Sequence, residues 1–319
     1  MLRRSLFGLR LDLTGTASAR QLKQATTALR HDSSKQGMPL NADEVWKPFR
    51  KLRKSLRKLG KRPTPDEVHE LRTRSRQVEA SLHALLLDNT GKGKKTLKAV
   101  NPIRKSAGPV RDMDVLSELA SGLETDPCRL RLLEYLRQQR LQGAVKLHKK
   151  SLQKQKNAQR YLKRFSTTLK GKSEGGRSRE WPAGAAAVAL QLSGQLQRWP
   201  RLSAQNLHDF RKLAKQLRYV LRFSGEQTQL VDRLGEVKDA VGLWHDWLEL
   251  DQIAQRLLQH SGTCAVKEEI RSHARRNFDR ALHAANLLRS QYFPAGNKQP
   301  QGRRKAARSV LEAASKLAA

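Results

Sequence analysis

Nowhere in this chain do apolar and polar residues alternate as they would along a half-buried strand. Instead Leu, Ala, Arg, Lys and Gln recur with helical spacing between a few clusters of glycine and proline. That pattern dictates an all-α fold. The expected helices are Asp43–Leu59, Pro65–Leu87, Lys95–Ala107, Pro109–Gly122, Pro127–Ser151 and Ala158–Leu169, then Ala183–Trp199, Ala204–Phe223, Thr228–Val241, Leu243–Gln259 and Lys267–Tyr292. "GKSEGGRSREWP" separates the two sets and reads as a solvated linker. The expected organisation is a basic extension (1–41), a first helical half (42–170), the linker (171–182), a second half (183–293) and a basic tail (294–319).

Two stretches echo one another. "VHELRTRSRQVEA" begins at Val68 and "LHDFRKLAKQLRY" at Leu207. Each places a histidine and then basic residues three and seven positions on. Thr64, Pro65 and Glu67 supply an N-cap, a first-turn proline and a capping-box carboxylate, so the first stretch opens a helix. At about 100° per residue, His69, Arg72, Arg76 and His83 fall within about 60° of each other, and Leu71, Val78, Leu82 and Leu85 occupy a similar arc on the opposite side. In the second stretch His208, Arg211, Lys215, Arg218 and Arg222 share one stripe, and Phe210, Ala214, Leu217 and Leu221 share the other. A second echo sets "SAGPVRDMDVL" against "DAVGLWHDWLEL", with Gly108 over Gly242, Arg111 over His245 and Asp112 over Asp246. The offset is 139 residues for the first pair and 134 for the second. Ordered matches at nearly constant offset indicate an internal duplication, whose two basic faces would form one cleft if turned toward each other.

Charge narrows the partner. Among 319 residues, 64 Lys and Arg stand against 29 Asp and Glu, a formal net charge of +35. Self-repulsion of that size opposes compaction and calls for an anionic partner. Aromatic residues are 5% of the chain, too few for generic base stacking. Cys128 and Cys264 are the only cysteines, too few and too far apart in sequence for a disulfide framework or zinc cluster, which fits a reducing cytoplasm. No apolar run is long enough to cross a membrane, and Arg10 and Asp12 interrupt what would be the apolar stretch of a secretion signal.

"VHELRTRSR", "GPVRDMDVL", "LHDFRKLAKQLRY" and "LGEVKDAVGLWHDW", in that order, resemble the CHAD family of conserved-histidine α-helical domains over roughly Asp43 to Tyr292. The resemblance implies two pseudo-symmetric helical bundles flanking a basic central channel that binds inorganic polyphosphate, often on polyphosphate granules in the bacterial cytoplasm. The matching positions are His69, Arg72, Arg76 and Arg111 in the first half and His208, Arg211, Lys215, Arg218 and His245 in the second. Lys212 and Arg104 stand beside them as further candidate contacts. In "RKLRKSLRKLGKR", Lys54 and Arg57 either extend the row or add nonspecific charge. The second half departs from the first in three places: His245 replaces Arg111, Leu248 stands where Asp114 does, and Ala183–Leu196 is almost uncharged.

The chemistry of such binding follows without the family. A linear phosphate polymer offers repeating charge and no bases, so it needs fixed cations at regular intervals. Residues 208 to 218 supply about 15 Å of such a row. Arginine forks onto two phosphate oxygens while lysine acts as a point charge. Histidine adds a conditional charge, since neighbouring arginines favour its neutral form and a bound polyanion its protonated form. Asp112 and Asp246 are expected to orient the basic residues beside them or cap a helix, and the glycines before them to permit close packing or a turn. His31, His148, His260, His273 and His283 are read as structural.

The alternatives are a nucleic-acid-binding protein, supported by charge alone, and a metal-dependent phosphohydrolase of the HD type, suggested by the pairs His31–Asp32, His208–Asp209 and His245–Asp246. No zinc finger, basic zipper or aromatic RNA-binding motif is present. Cations around the His–Asp pairs disfavour a metal. The basic stripes adjoin core faces rather than an exposed apolar face, which disfavours a membrane surface. The sequence thus points to a non-catalytic polyphosphate binder with no catalytic residue, metal or cofactor.

Overall fold

The computed structural model describes residues 42–174, 180–222, 228–259 and 264–294, and all of their regular structure is α-helical. Eight helices occur among these residues: α1 (Ala42–Lys58), α2 (Pro65–Ala84), α3 (Gly91–Ser121), α4 (Pro127–Glu174), α5 (Glu180–Gln197), α6 (Leu207–Leu221), α7 (Gln229–Leu257) and α8 (Ala265–Tyr292). The basic extension, almost all of the tail, His31–Asp32 and the middle of the expected linker lie outside the described residues. Threonine begins three helices. The Thr64 hydroxyl accepts from the Glu67 amide while the Glu67 carboxylate accepts from the Thr64 amide. Thr90 and Thr228 accept from Gly93 and Val231 amides. Each such cap stabilises its helix by about 1 kcal/mol.

Three expected breaks are absent. α3 runs through Pro102 and Pro109, although an interior proline costs about 3 kcal/mol in lost hydrogen bonding and ring clash. Val100, Ile103, Ala107, Val110 and Leu116, all at most 2% exposed, offset that cost by packing along α3, at about 1.5–3 kcal/mol per large side chain. Gly143 of α4 sits so close to Val110 that an added Cβ would lie 3.1 Å from its Cγ2. α4 continues through polar "LQKQKN" because Ala158, Leu162 and Phe165 beyond it are buried, with Phe165 stacked on Phe49 of α1 at 5.3 Å. α7 continues through Gly242, whose role is described below. In all three, tertiary packing overrides a local signal.

Apolar side chains form three clusters. One joins α1–α4 around Phe49, Leu52, Leu71, Val78 and Leu82. Another joins α5–α8 around Phe210, Leu217, Leu221, Leu230 and Leu234. The third unites the two sets, with Leu116, Leu132 and Leu136 from α3 and α4 against Trp247, Leu250, Val266 and Ile270 from α7 and α8. The apolar faces expected on α2 and α6 are the buried ones.

The near-absence of charge in 183–196 has a structural cause, since Ala185, Ala186, Ala189 and Leu196 lie in the core. Leu248 packs against the same cluster, whereas Asp114 is buried in an ion pair with Arg140 at 2.5 Å. Between α2 and α3, Leu86 adopts a left-handed φ of 54° and packs on the α5–α8 cluster. The cysteines, remote in sequence, meet in space. Both flank the third cluster, and the hydrogen bond with Cys264, aided by burial and Asp126, raises the Cys128 thiol to about 12.

Candidate functional site

Because α2 and α6 bury their apolar stripes in separate cores, the cationic stripe beside each is left where the two helices meet. α2 packs on α6, and α3 on α7. Lys215 reports the result. Its ammonium is pushed down to about 7, first by burial and then by Arg76, Arg211, Lys238 and Arg72. Two of these cations belong to the first set of helices and two to the second. Arg76 likewise acts on Arg211 and Tyr219 across the contact. The Lys215 ammonium lies 5.9 Å from the Tyr219 ring centre.

One local arrangement occurs on both sides. Arg72 reaches from α2 to α3, where its Nη2 lies 3.6 Å from Asp112 Oδ1 and its Nη1 only 2.8 Å from where a Cβ on Gly108 would be. Arg211 reaches from α6 to α7, with its Nη2 2.7 Å from the corresponding point on Gly242, and Asp246 is the leading charge that supports its own. Its Nε donates to the Lys238 carbonyl at 2.9 Å. Glycine is therefore needed at 108 and 242 for headroom, because a guanidinium lies across the helix where any other side chain would stand. That explains why α3 and α7 do not break there. Arg218 repeats the move, its Nε donating to the Val231 carbonyl at 3.2 Å beside Gly235. That hydrogen bond ties its guanidinium to the α7 backbone.

The histidines sit at the other end of the rows. His208 and His245 have ring centroids 4.7 Å apart, and the buried Nδ1 of His208 has no hydrogen-bond partner among the described residues. Burial, then His245, Lys212 and Arg211, lowers the His208 pKa. His69 is lowered by burial and then by Arg111, its counterpart neighbour, with Lys238 contributing from α7. The expected direction holds, although burial leads and the cations follow. Asp112 and Asp246 are raised by burial, while Arg72 and Arg211 respectively oppose the rise. Pairing of Asp112 with Arg72 agrees with the expected orienting role.

Other candidates fall around this group. Arg104 pairs with Glu79 at 3.7 Å and acts on Arg72 from one turn below Gly108. Lys212 is exposed on the flank of α6, paired with Asp209 at 2.5 Å. Lys54 and Arg57 are exposed on α1, which packs on α2 and α4, and neither is among the leading charges acting on Arg72, Lys215 or Arg211. His83 leaves the row to pair with Asp88 at 3.2 Å. Sequence reasoning missed Lys238 and Tyr219. Lys238 was detectable, since it stands at the same 134-residue offset from Arg104 as Gly242 does from Gly108; Tyr219 matches Ala80 at the offset of its own motif and leaves no such trace.

Among the described residues no three His, Cys, Asp or Glu side chains are grouped to hold a metal ion. No helix there is long and apolar enough to cross a membrane. Among solved structures, PptA from Streptomyces chartreusis resembles this chain with a TM-score of 0.51 and 15% identity, over 80% of this chain and 99% of its own. That likeness shows a shared fold. No curated protein matches. The CHAD domain profile matches residues 45–255, more than half of the chain and inclusive of α2, α3, α6 and nearly all of α7. The chain therefore belongs to the CHAD family.

Proposed function

We propose that this protein binds inorganic polyphosphate without turning it over, in a cleft that two duplicated halves, 42–170 and 183–293, line with His69, Arg72, Arg76 and Arg111 on one side and His208, Arg211, Lys215, Arg218 and His245 on the other. The observation that carries this reading is that α2 packs on α6 and α3 on α7, with Arg72 and Arg211 each laid across a glycine of the neighbouring helix; the lowered Lys215 ammonium accords with cations crowding there. Cations from both sets of helices act on one another there, and a polyanion relieves that repulsion. Membership of the CHAD family supports polyphosphate as the polyanion.

Roles divide by geometry. Arg72 and Arg211, fixed over glycine and beside an aspartate, present preset forks. Arg76, Arg111, Lys215 and Lys238 supply charge, and Arg218 chiefly ties α6 to α7. The histidines gain a proton as the polymer arrives. Such a protein sits in the cytoplasm, on polyphosphate granules when they form.

The test is retention on immobilised polyphosphate across a salt series, for wild type and for R72Q/R76Q/R211Q/K215Q. The expected outcome is release of the variant at much lower salt, with wild-type binding surviving excess duplex DNA. Displacement by DNA at equal charge concentration would favour the nucleic-acid reading instead. Unchanged retention of the variant would refute the site.

A further inference from the structure

The far end of the first set of helices holds a second group of cations. The opening turns of α3 and the C-terminal part of α4 bound an open groove of about 790 Å³, lined by Lys92, Lys95, Arg160, Tyr161, Lys163 and Arg164 among others. All five cations are exposed, and none is ion-paired with a carboxylate among the described residues. The sequence explains why. No Asp or Glu occurs between Asp88 and Asp112, or between Glu134 and Glu174, so both walls are acid-free. The first turn of α3 likewise has no acidic residue to offset its positive dipole end.

The lining also limits the ligand. Thr96, Thr167 and Thr168 donate their hydroxyl protons to helix carbonyls, which leaves recognition to the cations and the Tyr161 hydroxyl. Arg160 is held in place by Asn157 Oδ1 at 2.9 Å and lies 5.5 Å from the Tyr161 ring centre. Five cations without counter-charge suit a ligand of many equivalent oxyanions. The groove is also far roomier than a single phosphate requires.

Resting on the polyphosphate reading above, we infer that this groove is a second contact for the same polymer, so that the protein selects long chains over short ones. Lys95 and Arg111 are about 24 Å apart along α3. That exceeds the screening length of about 8 Å at physiological salt. The groove therefore gives a short oligomer at the central site little help, whereas a long chain held at one site meets the other at high effective concentration.

The experiment measures affinities of the full chain for tripolyphosphate and for long-chain polyphosphate in K95Q/K163Q/R164Q. The exposed-surface control is K149Q/K154Q/K156Q, of equal charge change. Expected is a loss of about tenfold or more for the long chain in the groove variant only, with tripolyphosphate affinity changed less than about twofold. Equal long-chain losses in both triple variants, equal losses for both ligands, or no loss in the groove variant would overturn the second contact. If wild type retains neither phosphate, the central-site reading itself falls, and this inference with it.

Discussion

Replacing Lys215 with methionine separates stability from binding in a way that tests the central cluster. Methionine keeps most of the stem that packs beside Tyr219 and removes the charge. The ammonium drops from 10.5 to about 7 in the folded protein, and at 1.36 kcal/mol per unit that is about 5 kcal/mol of opposition to the charged form. Water entry and side-chain relaxation reduce the usable figure to about 2 kcal/mol. The sign follows from proton counts. Below about pH 7 both states carry the proton and the penalty on folding is constant. From there to the unfolded value, the unfolded chain keeps the proton that folded Lys215 has released, so wild-type stability climbs with pH. At pH 6 without ligand, K215M should therefore melt about 5 °C above wild type, at roughly 2–4 °C per kcal/mol for a chain of this size. That advantage should shrink steadily above pH 7. Adding long-chain polyphosphate at pH 6 should reverse the order, because the polymer stabilises the folded state by mass action and wild type binds it more tightly. Thermal melts at pH 6 and pH 9, with and without polymer, read all of this. If K215M melts no higher than wild type at pH 6 and gains equally from the polymer, Lys215 is not a repelled cation awaiting an anion.

In G242A the new methyl would stand 2.7 Å from Arg211 Nη2, so the fork is displaced; melting temperature should stay within a few degrees, given a helix-propensity gain of about 1 kcal/mol, while polyphosphate affinity falls severalfold. Binding should tighten as pH drops through the histidine range, since His69 and His208 are lowered in the free protein and take up protons on complexation; calorimetry in buffers of different ionisation enthalpy should find this uptake reduced in H69Q/H208Q, and identical pH profiles would contradict it. R140M strands the buried Asp114 carboxylate and should lower stability by about 3 kcal/mol in denaturant titrations, with polymer affinity of the folded protein unchanged.

Much of the candidate site's layout was legible because helical periodicity and the echo between the two pairs of motifs are properties of residue order. The stripe of His69, Arg72 and Arg76 beside Leu71 and Val78 follows from helix geometry alone, and the 139- and 134-residue offsets mark the counterparts. The direction in which a cation points once packed was not legible. Arg72 and Arg211 read as members of a row along their own helices, yet each lies across a glycine of the neighbouring helix. Pro109 and Gly242 read as helix breaks for the same reason, since only the crossing guanidinium or the α4 contact shows why the helix continues. His83 and Lys212 share the basic side by angle but find local carboxylates at Asp88 and Asp209. Cys128 and Cys264 stand at nearly the offset of the echoed motifs, but that they touch depends on tertiary packing.

The apolar cluster shared by α3, α4, α7 and α8 decides how this molecule should be dissected. Cutting the chain between its halves would leave Leu116, Leu132 and Leu136 on one fragment and Trp247, Leu250 and Ile270 on the other, each facing water. Such fragments would stick to themselves and to one another, and any loss of ligand capture would measure that stickiness. Credit for each half must be assigned by point substitution in the intact chain.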